Sequence, residues 1–158
     1  MSDVKVRTMV PADLESVGRM AGRLVRMHYD LDPKRFIHLE NPEPGYARWL
    51  GQEMKNDAVV LIVAEIDGKV VGYVYAKKEN RNYNDLLDAH GKLHDVYVDE
   101  SARRSGAGEA LVRETFRRLA EKGAPRVILS TAVQNEAAHR LFEKVGFRTT
   151  MLEMTAEL

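Results

Sequence analysis

The sequence predicts an α/β fold of the α+β kind, in which helices pack against a β-sheet. Short runs rich in Val, Ile and Tyr alternate along the chain with longer segments whose apolar residues recur at helical spacing. The chain has 158 residues, of which 44% are hydrophobic, and this size suits one domain with a substantial core. We therefore expect a single domain over residues 1–158.

The predicted elements follow the order β-α-α-β-β-β-α-β-α-β. They are a strand at 4–8, a helix from Pro11 to about His28, a helix at 46–56, strands at 58–66, 69–77 and 92–99, a helix between Gly106 and Gly123, a strand at 126–132, a helix at 135–144 and a strand at 147–154.

Local signals support each element in turn. Residues 4–8 alternate in character as a strand does, and Pro11 suits the first turn of the helix that follows. Three prolines indicate a loop over residues 32–45 with a short turn at 36–39, and apolar residues line one side of 46–56. The next two strands are joined by Asp67-Gly68, a dipeptide typical of type I′ hairpin turns.

The second half of the chain has equally local signals. A polar loop at 79–90 precedes the strand at 92–99, and Gly123 is a typical end for the helix that comes next. Apolar and Thr residues fill most of 126–132, and the apolar residues of 135–144 recur at helical spacing.

Residues 103–108, Arg-Arg-Ser-Gly-Ala-Gly, connect a predicted strand to a predicted helix. The first turn of a helix has unpaired backbone N–H groups and a partial positive charge, so this arrangement suits phosphate. Gly106 and Gly108 lack Cβ atoms, which lets a ligand approach the backbone. No Lys-Ser or Lys-Thr follows the second glycine, so the loop is not a P-loop. Leu111 stands where GxGxxG has its third glycine, so that motif is excluded too. An ordinary glycine-containing loop is the alternative.

The same residues resemble the acetyl-CoA-binding motif of the GNAT (general N-acetyltransferase) superfamily, Q/R-x-x-G-x-G/A. Residues 135–147 resemble that family's second motif, N-x-x-A-x-x-L-Y-x-x-x-G-F, with Phe142 in place of the Tyr. The resemblance implies the GNAT fold, a mixed, mostly antiparallel twisted sheet with flanking helices. Its parallel strands at 92–99 and 126–132 would be splayed apart for the cofactor. It also implies transfer of the acetyl group of acetyl-CoA to a primary amine of a small molecule, peptide or protein by direct attack in a ternary complex.

The resemblance also assigns acetyl-CoA-binding residues. The loop and helix start would hold the pyrophosphate, and the preceding strand would bind the pantetheine amides through its backbone. The residues so assigned are Val96, Tyr97, Val98, Arg103, Arg104, Ser105, Gly106, Ala107, Gly108, Glu109, Asn135, Ala138 and Phe142. Phe142 cannot give the leaving thiolate a proton as the family's Tyr does, and packing in the core is its alternative role. Asn135 could bind the cofactor, cap the helix after it, or do both.

His94 is the predicted catalytic base. Many GNAT enzymes carry a Glu at this position, which acts through water, and an imidazole ordinarily titrates near pH ~6.5. Strand alternation predicts that His94, Val96 and Val98 share one face, while Leu93, Asp95 and Tyr97 share the other. A His hydrogen-bonded within the sheet without a catalytic role is the alternative, and Asp95 could orient a neighbouring group.

The acceptor site is expected in three less familiar segments, residues 28–30, the proline-rich loop to Gly45, and residues 79–90. Acidic residues there would favour a cationic amine or would simply be solvated; they are Asp30, Asp32, Glu40 and Glu43. Aromatic residues could form a wall of the site or pack in the core; they are Tyr29, Phe36, Tyr46 and Trp49.

Composition limits the partners. The formal net charge is zero, from 24 basic and 24 acidic residues, so we expect neither nucleic acid nor a membrane as a partner. The absence of Cys excludes disulfides and an acyl-cysteine route, and the five His residues lack metal-ligand spacing. With no long apolar run, a cytoplasmic protein that binds acetyl-CoA and an amine acceptor is expected, and a homodimer is left open. A non-catalytic acyl-CoA-binding or regulatory GNAT module is the alternative function.

Overall fold

The structure is a computed structural model that describes residues 3–158. One sheet contains β1 (Val4–Thr8), β2 (Val59–Ile66), β3 (Lys69–Glu79), β4 (His90–Val98) and β5 (Val127–Ile128), in that spatial order. The helices are α1 (Leu14–Leu31), α2 (Glu43–Glu53), α3 (Ala107–Glu121) and α4 (Glu136–Lys144), and short 3₁₀ turns precede α1 and α3. The predicted α/β fold class is confirmed, and so is the predicted order of elements as far as α4.

The sheet is antiparallel from β1 to β4, and β5 runs parallel to β4. The turn between β2 and β3 has φ values of 51° at Asp67 and 77° at Gly68, and type I′ geometry requires two such positive values. β4 and β5 pair only where Gly91 faces Val127 and Lys92 faces Ile128. Beyond these two pairs the strands separate, as the resemblance implied.

Helices cover both faces of the sheet. α1 and α2 pack on one face, where the buried residues include Val17, Met20, Leu50, Tyr73, Tyr75 and Tyr97. α3 packs on the other face, where the buried residues include Val60, Ile62, Val74, Leu111 and Leu119. α4 closes a smaller cluster beside α3, formed by Leu93, Val112, Phe142 and Val145. Because β2 and the centre of β3 are covered on both sides, β2 and residues 70–76 of β3 are almost entirely apolar.

Of the two last predicted strands, one is shorter than predicted and the other is absent from the described residues. Residues 126–132 form only the short β5, because the carbonyl of Ala132 instead accepts hydrogen bonds from the Asn135 N–H at 3.0 Å and the His139 ring at 2.9 Å. Residues 147–154 form no strand, although their sequence is strand-like. A strand requires a partner, and within the described residues this segment has none.

The second helix begins earlier than predicted. α2 starts at Glu43 and ends at Glu53, whereas the sequence suggested 46–56. Pro44 lies in its first turn, where a missing N–H leaves no intrahelical bond unmade. The Glu43 carboxylate lies 2.5 Å from the Arg26 guanidinium, which ties the start of α2 to α1. Prolines that suggested a loop therefore mark a helix start.

Candidate functional site

The separation of β4 from β5 exposes the backbone of β4. The Asp99 N–H donates to the Val71 carbonyl at 2.7 Å, and hydrogen bonds alternate in direction along an antiparallel pair. The backbone groups of Val96 and Val98 therefore point away from β3 and into the gap beyond the last β4–β5 pair. Tyr97 instead pairs with Tyr73 within the sheet, and its side chain is 8% exposed. The structure thus brings Val96 and Val98 to the opening and leaves Tyr97 in the core.

The loop before α3 presents a cluster of free N–H groups at one end of this opening. Its backbone is left-handed at Arg104 (φ 66°) and at Gly106 (φ 88°). Within residues 3–158, the N–H groups of Arg104, Gly106, Gly108 and Glu109 donate to no acceptor. The N–H of Ala107 is satisfied by the Ser105 hydroxyl at 3.2 Å. Free N–H groups at the positive end of a helix dipole form an anion site.

The two glycines of the loop serve different purposes. A Cβ on Gly106 would meet no atom within 4 Å, so the space beside it is open to a ligand. A Cβ on Gly108 would lie 3.1 Å from a methyl group of Leu141 in α4. The missing Cβ of Gly108 therefore also allows α4 to approach α3, and the role of Gly108 in binding the ligand stays a prediction. Ala107 is 1% exposed and packs in the core.

Charged side chains surround the loop. The Arg103 guanidinium lies 3.4 Å from the Val98 carbonyl, and the side chain of Arg104 is exposed. Glu109 would repel a phosphate, but Lys144 lies 2.8 Å and Arg113 3.0 Å from its carboxylate. Lys144 first, and then Arg113, lower the pKa of Glu109. Sequence analysis missed Lys144, whose contact with α3 depends on the packing of α4.

The second motif surrounds the start of α4. The Asn135 side chain accepts a hydrogen bond from the Ala138 N–H at 3.2 Å and caps the helix. Its amide nitrogen has no partner among the described residues and so can still donate to a ligand. Ala138 is half-buried, and Phe142 is 7% exposed with its ring 5.6 Å from that of Phe147. Phe142 lies in the same cluster as Leu93 and is packed core in this structure.

A β-bulge reverses the predicted direction of His94. Asp95 lies opposite Tyr75 and Leu93 lies opposite Ala76, so His94 is an extra residue in β4. Leu93 consequently packs with Val112 of α3. The His94 ring lies on the opposite face, 5.2 Å from the Tyr75 ring. The predicted alternation is therefore wrong at Leu93 and His94, and His94 shares the α1–α2 face with Asp95.

Two carboxylates accompany His94. Its Nε2 lies 3.4 Å from Glu79 Oε1. Asp95 accepts a hydrogen bond from the Tyr73 hydroxyl at 3.0 Å. Burial raises the pKa of the Asp95 carboxyl, although the Tyr73 hydrogen bond opposes this effect. Burial also raises the pKa of Tyr73, so its hydroxyl remains a donor to Asp95 at neutral pH.

An aromatic strip continues from His94 along α2. The ring centroids are 4.7 Å apart for Tyr75 and Trp49, and 6.2 Å apart for Trp49 and Tyr46. Trp49 is 38% exposed, and the Tyr75 hydroxyl donates to Glu53 at 2.8 Å. Of the aromatic residues suggested for the acceptor site, the structure brings Tyr46 and Trp49 to this strip. Sequence analysis missed Tyr75, because only the register of β3 places it there.

Two of the acidic residues suggested for the acceptor are engaged elsewhere. Asp32 accepts hydrogen bonds from the N–H groups of Lys34 and Arg35 at 3.2 and 3.3 Å, and Glu43 pairs with Arg26.

Over residues 3–158 no group of three or more His, Asp or Glu side chains is placed to hold a metal ion. In the same part of the chain no helix combines the length and apolar character needed to cross a membrane.

Comparison with known proteins agrees with this geometry. A family model described as the acetyltransferase (GNAT) family matches residues 25–147. An N-alpha-acetyltransferase of Sulfurisphaera tokodaii is 32% identical over 102 residues, which are 61% of this chain and 61% of that protein. A mycothiol acetyltransferase of Saccharomonospora viridis is 30% identical over 154 residues, which are 92% of this chain and 46% of that protein. This chain thus spans less than two thirds of either relative.

A solved structure shows the same fold. It is an aminoglycoside N-acetyltransferase in complex with CoA, which superposes with a TM-score of 0.78 at 18% sequence identity. The superposition covers 100% of this chain and 96% of that one. The shared feature is therefore the architecture over the whole length.

Proposed function

This chain belongs to the acetyltransferase (GNAT) family, and from that premise we propose that it is an N-acetyltransferase using acetyl-CoA and a primary amine. The amine of a small molecule, peptide or protein would attack the thioester directly while both substrates are bound. One observation carries the proposal, namely that the free N–H cluster before α3 continues into the unpaired backbone of β4. A linear ligand with an anionic end and an amide-containing arm fits such a surface.

The residues present fit the pyrophosphate and the pantetheine arm of acetyl-CoA. The N–H groups of Arg104, Gly106, Gly108 and Glu109 would hold the pyrophosphate, and the Arg103 and Arg104 guanidinium groups would add charge. Val96 and the Val98 N–H would pair with the pantetheine amides as a neighbouring strand would, while the Val98 carbonyl accepts a hydrogen bond from Arg103. The unpaired amide of Asn135 supplies a further donor from the α4 side. Holding the thioester beside the amine would supply much of the rate.

The proton of the attacking amine would pass to His94. The bulge presents this ring on the α1–α2 face, next to the aromatic strip where we place the acceptor. If Glu79 accepts the Nε2–H, then Nδ1 is the basic nitrogen. As the C–N bond forms, a β4 backbone N–H in the opening would stabilise the negative charge on the thioester oxygen, and the C–S bond then breaks.

The leaving group would depart without a protein acid. Phe142 has no proton to give and is packed in the core. A thiol ordinarily has a pKa of about 8.5, so its thiolate is a tolerable leaving group near neutral pH. Water can then protonate it. We propose no metal in this reaction.

Other features of the proposal rest on the sequence. A single domain over residues 1–158 and a cytoplasmic location stay predictions. We specify the acceptor only as a primary amine, because the relatives are named for different acceptors.

Release of free thiol from acetyl-CoA, measured with a panel of primary amines, tests the proposal. We expect thiol release that depends on the amine and that produces an equal amount of N-acetylated product. The missing Tyr at Phe142 favours one other candidate, a non-catalytic acyl-CoA-binding module. Tight acetyl-CoA binding without amine-dependent thiol release across the panel would favour that module and overturn the enzyme proposal.

A further inference from the structure

Two lysines lie on neighbouring strands of the sheet, close to the predicted base. Lys77 of β3 is directly opposite Lys92 of β4 in the antiparallel register. Tyr75 belongs to the buried cluster on the α1–α2 face, and alternation along β3 places Lys77, two residues further on, on the same face. Lys77 therefore shares a face with the aromatic strip.

The neighbours of Lys92 fix the direction of its side chain. A Cβ on Gly91 would lie 2.7 Å from Leu119 of α3, and Leu93 packs in the cluster beside α3. Lys92 lies between these two residues and so points to the opposite, α1–α2 face, as His94 does. Two strand residues that share a face are about 6.5–7 Å apart, which is the spacing between Lys92 and His94 along β4.

The two lysines have no counter-ion in this chain. Both side chains are half-buried, and over residues 3–158 no carboxylate lies within ion-pair distance of either ammonium group. The carboxylates of the same face have other partners, since Glu79 lies 3.4 Å from His94 Nε2. Glu53 and Asp95 each accept a hydrogen bond from a tyrosine hydroxyl. Like charges at directly opposite positions destabilise a sheet, so an external anion between the lysines would stabilise this arrangement.

We propose that the acceptor is a small amine that also carries a carboxylate or phosphate, and that Lys77 and Lys92 hold this anion. This inference rests on the proposed acetyltransferase function and narrows its acceptor. An ammonium group offers three donors and a compact charge, which suit either anion. Because the lysines lie one step along the strand from His94, the anion and the reacting amine belong to one short molecule.

Matched pairs of acceptors test the proposal. The thiol-release assay, at constant ionic strength, compares γ-aminobutyrate with butylamine and phosphoethanolamine with ethanolamine. At least one anionic acceptor should have a kcat/KM roughly tenfold or more above that of its neutral counterpart, because it gains a charged hydrogen bond. The pair with the larger ratio identifies the anion as carboxylate or phosphate. Equal kcat/KM values within both pairs would overturn the proposal and leave the acetyltransferase assignment intact.

Substitution of the lysines tests which residues hold the anion. Lys77→Gln and Lys92→Gln should each raise KM for the preferred anionic acceptor roughly tenfold. Lys78→Gln is the matched control, because Lys78 carries the same charge on the same strand but alternates to the α3 face, opposite Gly91. Its KM for that acceptor should stay at the wild-type value. Equal effects of all three substitutions would indicate general attraction by positive charge and would overturn the proposal.

Calorimetry separates this inference from the proposed enzyme activity. In the presence of CoA, γ-aminobutyrate or phosphoethanolamine should bind Lys77→Gln roughly tenfold more weakly than wild type or Lys78→Gln, whether or not any amine is acetylated. If this difference is measured but no amine releases thiol, the acetyltransferase proposal fails and the anion site stands. If neither compound binds the wild type, or if all three proteins bind both compounds equally, the anion site is wrong.

Discussion

Replacing Gly106 with Val tests the proposed phosphate site, and the same substitution at Gly123, beyond the other end of α3, is the control. Gly106 precedes α3 and Gly123 follows it; both have φ of 88°, and a Cβ at either would meet no atom within 4 Å. A left-handed conformation costs an L-residue about 1–2 kcal/mol, and we expect the cost for a β-branched residue such as Val to be near the upper value. Gly106→Val and Gly123→Val should therefore lower the free energy of unfolding by similar amounts, measured by urea denaturation.

Only Gly106→Val should lose acetyl-CoA. Its side chain would stand beside the free N–H groups and separate them from a phosphate. Losing two hydrogen bonds to a charged group, at about 1.5–3 kcal/mol each, raises the dissociation constant roughly 10²- to 10⁴-fold. Titration calorimetry with acetyl-CoA measures this change for both variants. Equal affinities for Gly106→Val and Gly123→Val would refute the placement of the pyrophosphate at this loop.

Three further predictions concern the base, the leaving group and a buried ion pair. His94→Ala should lower turnover roughly 10²-fold, as loss of a general base does, while calorimetry shows acetyl-CoA affinity nearly unchanged. Phe142→Tyr should give equal or higher turnover in a thiol-release assay, with the largest gain for weakly nucleophilic amines, because it supplies a proton to the leaving thiolate. Asp13→Asn should lower the free energy of unfolding by about 1.5–3 kcal/mol at neutral pH, because the buried Asp13 carboxylate lies 2.8 Å from the Arg7 guanidinium and Arg7 would then keep only Glu65, at 3.0 Å. Urea denaturation measures this loss.

The pH dependence of the last variant has a definite sign. The hydrogen bonds from Arg7 lower the pKa of Asp13 in the folded state. The stability that the carboxylate contributes is therefore present above its unfolded pKa of about 3.9 and disappears as pH falls through the lower, folded value. The difference in the free energy of unfolding between wild type and Asp13→Asn should therefore become smaller in that acid range. If this difference did not change with pH, the loss of stability in Asp13→Asn would come from packing and not from the charge of the carboxylate.

The other two substitutions have equally clear contrary outcomes. Unchanged turnover in His94→Ala would make His94 a structural residue of the bulge. Phe142→Tyr is the more demanding test, because the added hydroxyl must be accommodated where the Phe142 ring is buried. A variant that binds acetyl-CoA but loses turnover would mean that the hydroxyl disturbs this packing, or that the thioester lies elsewhere.

Local signals in the sequence predicted local structure well. The turn at Asp67-Gly68 and the cap at Asn135 need only a few neighbouring residues, and both formed as expected. Such features are specified by short stretches, so a single sequence contains the information. The gap beside β4 was expected from the resemblance to the GNAT superfamily, not from the residues alone.

Features set by contacts between distant segments could not be predicted. The bulge at His94 depends on the register of β4 against β3, and simple alternation therefore assigned the wrong face. Tyr75 and Lys144 join the site only because their elements pack beside it. The segment 147–154 has strand propensity, but propensity cannot tell whether a partner strand is present in the same chain.

The two-rung junction between β4 and β5 has a mechanical consequence. With only Gly91–Val127 and Lys92–Ile128 paired, β5 is hydrogen-bonded to β4 at one end only, and α4 is held beside the sheet by its packing against α3. In the proposed complex, the pantetheine arm would bridge the open end and replace the missing rungs. Acetyl-CoA would then act as a removable strand, and its binding should slow amide hydrogen exchange at Val96 and Val98 as well as stiffen α4. Release of CoA would again leave the backbone of β4 unpaired on this side and restore the faster exchange.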